Sequence, residues 1–258
     1  MNGHGFTVRS AAGQVSISSE TYNLIYAGRA TLFSSGYAIG SAWPQRYDAQ
    51  GIATPLLRYY DFAIEVSAST AVVPFFSCPG YCGIAFVRQV SATRWEMELF
   101  ATSQPTVYCF TRIPPGTPVN GHGLAVFRSD GGVAYLSTQP HIIPRAVAPV
   151  ASYASNVISY GQGSSFTYAP TQAAYPSAIG IPGLSVPILH YATGNSAARN
   201  YSDGSTQYLF MRVAQISGGS VNVIWGLSAT VSSLGNGIDH DAPGDSNLAI
   251  VADGVGFN

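Results

Sequence analysis

Lysine is missing from this 258-residue chain: all eleven basic residues are arginine, and charged side chains make up only 9% of the sequence. An average soluble domain carries about 25%. This shortage, with a hydrophobic content of 47%, excludes an intrinsically disordered chain, which needs the opposite balance. The net charge of −1 offers no basic field to nucleic acid or anionic lipid, and the arginines are scattered singly. No apolar run is long enough to cross a bilayer, so no membrane insertion is expected. Met1 to Gly5 has neither the basic nor the apolar region of a secretory leader. Cysteine is scarce as well. Cys78 and Cys82 flank a Pro-Gly-Tyr turn and Cys109 stands alone. Three thiols make no disulfide framework, and the composition suits synthesis in a reducing cytoplasm. Reduced Cys78 and Cys82 are expected, with a bridge between them as the alternative.

A soluble monomer ordinarily keeps its neighbours away with a charged surface that includes lysine. Arginine and aromatic residues are favoured at interfaces and lysine is not. Sixteen tyrosines and eleven arginines without a lysine therefore predict that partner subunits cover much of the exterior. The alternative is an open surface of Ser, Thr, Gly and Asn.

Helical periodicity is also lacking, and sixteen prolines with twenty-eight glycines fit many turns and few helices. Alternation with period two is present instead. In Val221–Val231 the residues Val221, Val223, Trp225 and Leu227 point one way, and Asn222, Gly226 and Ser228 the other. With Gln207–Ile216 and the turn Ser217-Gly218-Gly219-Ser220 this predicts a hairpin. Gly83–Val90 and Arg94–Ala101 predict another, with Trp95, Met97 and Leu99 inward and Glu96 and Glu98 outward. Leu57–Val66 and Val107–Ile113 read as further strands. The expected fold class is all-β.

An internal echo gives the organisation. Asn2-Gly3-His4-Gly5-Phe6-Thr7-Val8 recurs as Asn120-Gly121-His122-Gly123-Leu124-Ala125-Val126. With Phe127 taken as one inserted residue, Arg9-Ser10 matches Arg128-Ser129, Gly13 matches Gly132, and Ile17-Ser18 matches Leu136-Ser137. Each copy reads as strand, tight turn, strand. Two related antiparallel sandwich-like modules follow, residues 1–113 and 121–258, each opening with a hairpin. A stiff proline-rich connector spans 114–120, and a long uncharged loop spans 147–198.

Catalytic and metal-binding patterns are weak. Gly-x-Ser-x-Gly is absent, and the five histidines stand beside no nucleophile motif. No catalytic residue, cofactor or Walker-type phosphate loop is predicted. Cys78 and Cys82 have no second ligand pair nearby. Asp239, Asp241 and Asp245 form the one local acidic cluster and could offer oxygens to Ca²⁺, but they lack the EF-hand glycine and terminal Glu, so a solvated loop is expected. Glu96 and Glu98 share a strand face without a recognisable cleft for glycoside chemistry. His4 and His122, at matching repeat positions, are expected to hydrogen-bond backbone in turns.

The opening Gly-His-Gly-Phe-x-Val-x-Ser-x-x-Gly-x-Val and the middle segment Thr106-Val107-Tyr108-Cys109-Phe110 followed by Gly123-Leu124-Ala125-Val126-Phe127 carry a family likeness. They resemble small minor tail proteins of the tail tip of long-tailed bacteriophages, from the N-terminus to roughly Pro144. The resemblance implies a non-catalytic virion structural protein, made in the host cytoplasm. It would be a symmetric homo-oligomer, a trimer first, docking on other tail proteins. The region after Pro144 departs from that pattern. Its loops 147–198 and Asp239–Asn247 are candidate contact surfaces. A receptor-binding role is the rival reading, with Tyr153, Tyr160, Tyr168 and Tyr175 gripping a host glycan or surface protein as paratope tyrosines do.

Overall fold

The computed structural model describes residues 7–9, 15–18, 23–37, 56–66, 71–114, 116–119, 122–142, 144–149, 173–175, 184–192, 199–202, 206–217, 220–232 and 248–257. Among them there are eighteen strands and no helix. In chain order these are β1 (Thr7–Arg9), β2 (Val15–Ser18), β3 (Ile25–Arg29), β4 (Thr31–Gly36), β5 (Arg58–Glu65) and β6 (Val73–Ser77). Next come β7 (Cys82–Gln89), β8 (Arg94–Ala101), β9 (Thr106–Thr111), β10 (Ala125–Phe127), β11 (Val133–Leu136) and β12 (Pro144–Pro149). The last six are β13 (Ala173–Tyr175), β14 (Pro187–His190), β15 (Arg199–Ser202), β16 (Thr206–Ser217), β17 (Ser220–Ser232) and β18 (Leu248–Asp253). The protein is all-β, and the pairings between these strands are antiparallel.

Two sheets carry the core. A six-stranded sheet runs β12-β18-β14-β6-β9-β3, and an eight-stranded one runs β13-β17-β16-β7-β8-β5-β4 with β15 on β16. Alternation along β5 turns Tyr60, Phe62 and Ile64 inward, and the same spacing on β8 buries Met97 and Leu99. Opposite them the six-stranded sheet contributes Phe76, Val107, Cys109, Leu189 and Val251 to one continuous cluster. Burying one such side chain contributes about 1.5–3 kcal/mol.

β6 and β9 are buried on both faces, so their sequences read as continuous apolar runs, Pro74-Phe75-Phe76 and Val107-Tyr108-Cys109-Phe110. On the far face Phe75, Phe110 and Phe257 meet edge to face, with centroids 5.4 and 5.0 Å apart. That geometry suits the aromatic quadrupole.

The strands expected from alternation are present as β5, β7, β8, β9, β16 and β17. The β7–β8 turn is pinned by Ser91, whose Oγ accepts from the backbone of Thr93 and Arg94 at 3.3 and 3.0 Å. Two readings need revision. Residues on both sides of 114–120 share the main cluster, where each module was expected to have a core of its own: β14 pairs β6, and β16 pairs β7. Segment 147–198 is not wholly loop either. It holds β13 and β14, and Ile188, Leu189 and Tyr191 are almost fully buried. Ile188-Leu189 is too short a run to stand out among the flanking Gly, Pro and Ser, and it gains its burial from β18 and β6.

The echo is a real structural repeat, in a different register. β1 and β2 pair Thr7 with Ser18, Val8 with Ile17 and Arg9 with Val15, with a bulge after Val8. β10 and β11 pair Ala125 with Leu136, Val126 with Tyr135 and Phe127 with Val133, with a bulge after Val126. Each residue of one hairpin thus corresponds to the same offset in the other, and Phe127 is the counterpart of Arg9 rather than an insertion. Gly131, now the match of Gly13, has φ +81°, a conformation that glycine adopts without steric cost.

Candidate interaction surface

The outward face of the eight-stranded sheet concentrates the arginine and aromatic residues that composition singled out. Two bulges interrupt its strands. On β7 the register passes from Ile84 opposite Leu99 to Phe86 opposite Glu98, so Ala85 is the extra residue. Strict alternation would have placed Phe86 opposite Met97, facing the core. On β4 the extra residue is Phe33, between Leu32 opposite Phe62 and Ser34 opposite Asp61. The β7 bulge re-aims Phe86 in this way, whereas Phe33, next to the inward Leu32, faces outward by ordinary alternation. Phe33 is left 52% exposed and Phe86 38% exposed.

An arginine covers each ring. The Arg94 guanidinium lies 5.5 Å from the centroid of Phe33, and that of Arg88 lies 5.3 Å from Phe86, both within cation–π range. Between them Glu96 accepts from Arg88 at 3.1 Å and from Arg94 at 3.1 Å, and Arg94 also reaches Glu65 at 3.4 Å. These hydrogen bonds from Arg88 and Arg94 hold the Glu96 carboxyl below its ordinary range. Glu98, one pleat along, behaves oppositely. Burial, then the charge of Asp61 across the strand, raises its affinity for a proton. Beside Phe33 an open concavity of about 440 Å³ is lined by Gly28, Arg29, Thr31, Glu65 and Arg94. At the far end of β5, Arg58 lies 4.9 Å from the ring of Tyr37, itself 52% exposed.

The surface is chemically suited to docking: it presents planar cations and rings that lose little on desolvation, with the Glu65 and Glu96 carboxylates already paired to arginine. No family model, no curated protein and no solved structure matches the chain. Its geometry therefore has to speak for itself.

Asp239, Asp241 and Asp245 fall outside the described residues, as do Tyr153, Tyr160, Tyr168 and His4. Tyr175 is placed by its backbone alone, closing β13 opposite Val221. Glu96 and Glu98 do share the outward face, but one is paired with arginines and the other with Asp61. His122 is exposed and lines a small concavity of about 140 Å³ with Val119, Leu124 and Leu136 at the foot of the second hairpin. His190 and His141 serve the fold: their ring nitrogens meet the carbonyls of Pro74 at 2.7 Å and Leu136 at 2.6 Å. Burial lowers the proton affinity of both. Among the described residues no three His, Cys, Asp or Glu gather as a metal site would require.

The residues that sequence reasoning missed are Phe33, Phe86, Arg88 and Arg94. The absence of lysine was the signal for such a surface, but nothing local marked where the bulges would fall.

Proposed function

We propose that this chain is a non-catalytic structural protein of a bacteriophage tail tip, which assembles with copies of itself and docks on other tail proteins. The observation that carries the reading is the Phe33–Arg94–Glu96–Arg88–Phe86 row on the outward sheet face. It has the arginine-and-aromatic composition of an interface core, and the sequence likeness over the first half of the chain supplies the virion context. Function here is packing: the sheet presents rigid rings, and the ion pairs around Glu96 fix their orientation.

The test is the mass of the full-length protein in solution, by light scattering at micromolar concentration. A trimer is expected, and Phe33→Ser with Phe86→Ser should shift it towards monomer without loss of strand signal in circular dichroism. A wild-type monomer that also fails to bind purified tail-tip components would refute the proposal. Adsorption of the isolated protein to host cells or to a glycan array would favour the receptor-binding reading instead.

A further inference from the structure

The chain passes from the six-stranded to the eight-stranded sheet through Cys78-Pro79-Gly80-Tyr81-Cys82, the link between β6 and β7. This turn is held from several sides. Tyr81 and Thr102 bond reciprocally, Tyr81 N donating to Thr102 Oγ1 at 3.0 Å and Thr102 N to Tyr81 O at 2.9 Å. Gln215 of β16 donates to Pro79 O at 2.8 Å. A Cβ at Gly80 would collide with Thr102 Oγ1 and sit 2.9 Å from Ser103 Oγ, so glycine lets the turn lie against these two hydroxyls.

Both sulfurs belong to the same cluster, Cys82 fully buried and Cys78 partly exposed. They stand four residues apart across this turn, Cys78 just after β6 and Cys82 opening β7. The Cys78 thiol donates to Ser103 O at 3.3 Å, and its sulfur meets the Ser103 hydroxyl at 3.5 Å. One thiol is thus half-buried beside the Ser103 hydroxyl, and the second lies fully buried at the other end of the same turn. We propose that Cys78 and Cys82 are a reversible dithiol–disulfide site that reacts with low-molecular-weight disulfides such as oxidised glutathione, Cys78 attacking and Cys82 resolving.

The chemistry balances in two exchanges. The Cys78 thiolate attacks one sulfur of the oxidant, forming a mixed disulfide and releasing the other half as thiolate. Cys82 sulfur then attacks Cys78 sulfur, its proton passing to the departing glutathione sulfur. Two cysteine thiols are oxidised and one glutathione disulfide is reduced to two thiols. The hydrogen bond from Cys82, and next to it the Ser103 hydroxyl, outweigh burial and bring the Cys78 thiol down to about 6, which keeps it ionised at neutral pH. Cys82 is pushed the other way, first by burial, which suits a resolving thiol that stays protonated until needed. Cys109 makes an internal control: it is buried beside Met97 Sδ at 3.9 Å, and burial raises its thiol to about 12. Oxidation would lock the crossover between the layers. The inference holds whatever the protein's role in a virion.

The experiment uses the full-length reduced protein, equilibrated with graded ratios of reduced to oxidised glutathione, acid-quenched, alkylated and peptide-mapped. A Cys78–Cys82 disulfide is expected, reversed by dithiothreitol, with Cys109 remaining a free thiol. Cys82→Ser should instead accumulate a glutathione adduct on Cys78. In the wild type, which needs no altered residue to fold, iodoacetamide should label Cys78 roughly tenfold faster at pH about 6 in the native state than in urea. Absence of the internal disulfide at every glutathione ratio, or native Cys78 labelling no faster than the unfolded chain, would overturn the proposal.

Discussion

The two faces of the eight-stranded sheet are built by the same strands and obey different rules. Inward, Tyr60, Phe62, Ile64, Met97 and Leu99 are packed against the six-stranded sheet and are at most 8% exposed. Outward, Asp61, Glu96, Glu98, Arg88 and Arg94 surround two exposed phenylalanines. The inward face holds the fold because dispersion and desolvation act on every buried atom. Where it carries ion pairs the outward face contributes little to folding, because such pairs in water gain little over their hydrated state, while Leu57, Phe100 and Val213 form a small buried cluster beside them. What it offers is a patterned surface. The difference teaches that stability and recognition can be separated by a single pleat.

The largest effect should come from breaking the inward face. Phe62→Ala is expected to cost about 3–5 kcal/mol, read as a lowered urea midpoint with an unchanged slope. Next is the exchange Phe86→Val with Val87→Phe, which places the ring inward opposite Met97. Overpacking of this kind costs about 1–3 kcal/mol, and the variant should also lose self-association in light scattering. If it retains both, Phe86 is not part of the docking surface.

A smaller effect concerns pH. The folded Glu98 carboxyl keeps its proton to higher pH than it does in the unfolded chain. The folded state therefore binds more protons in the window between the two, and stability falls as pH rises through it. Glu98→Gln should abolish that decline in urea midpoints, and a decline of unchanged size would assign it to another group. Glu96 runs the opposite way: its arginine pairs contribute above the unfolded value and are lost as pH falls. The smallest change in stability is expected for Arg94→Gln, whose side chain is exposed and salt-screened. Its urea midpoint should match the wild type while the oligomer weakens. A large loss of stability would erase the division between the two faces.

Much of the sheet scaffold was legible beforehand, for a local reason. Val221 and Val223, or Met97 and Leu99, fall on one side because successive strand residues point to opposite faces, and both pairs are buried as their alternation implied. The antiparallel pairing of β16 with β17 was legible from their two alternating runs. β14 was not, since Pro187-Ile188-Leu189-His190 alternates with nothing and is defined by the strands on either side of it. The repeat was legible as a motif but misregistered at Phe127, because a bulge in both copies shifts pairing without changing length. The outward surface was legible only as a composition.

The amino-acid order alone determined that this chain forms strands, which residues alternate along most of them, and that two distant segments make the same hairpin. These follow from backbone sterics and from solvent preference within a few neighbouring residues. Tertiary structure decided which strands lie side by side, that β6 and β9 are enclosed on both faces, and that Phe86 turns outward. Each of those outcomes depends on a partner far away in the chain, and a hydrogen-bond register is chosen only when that partner arrives.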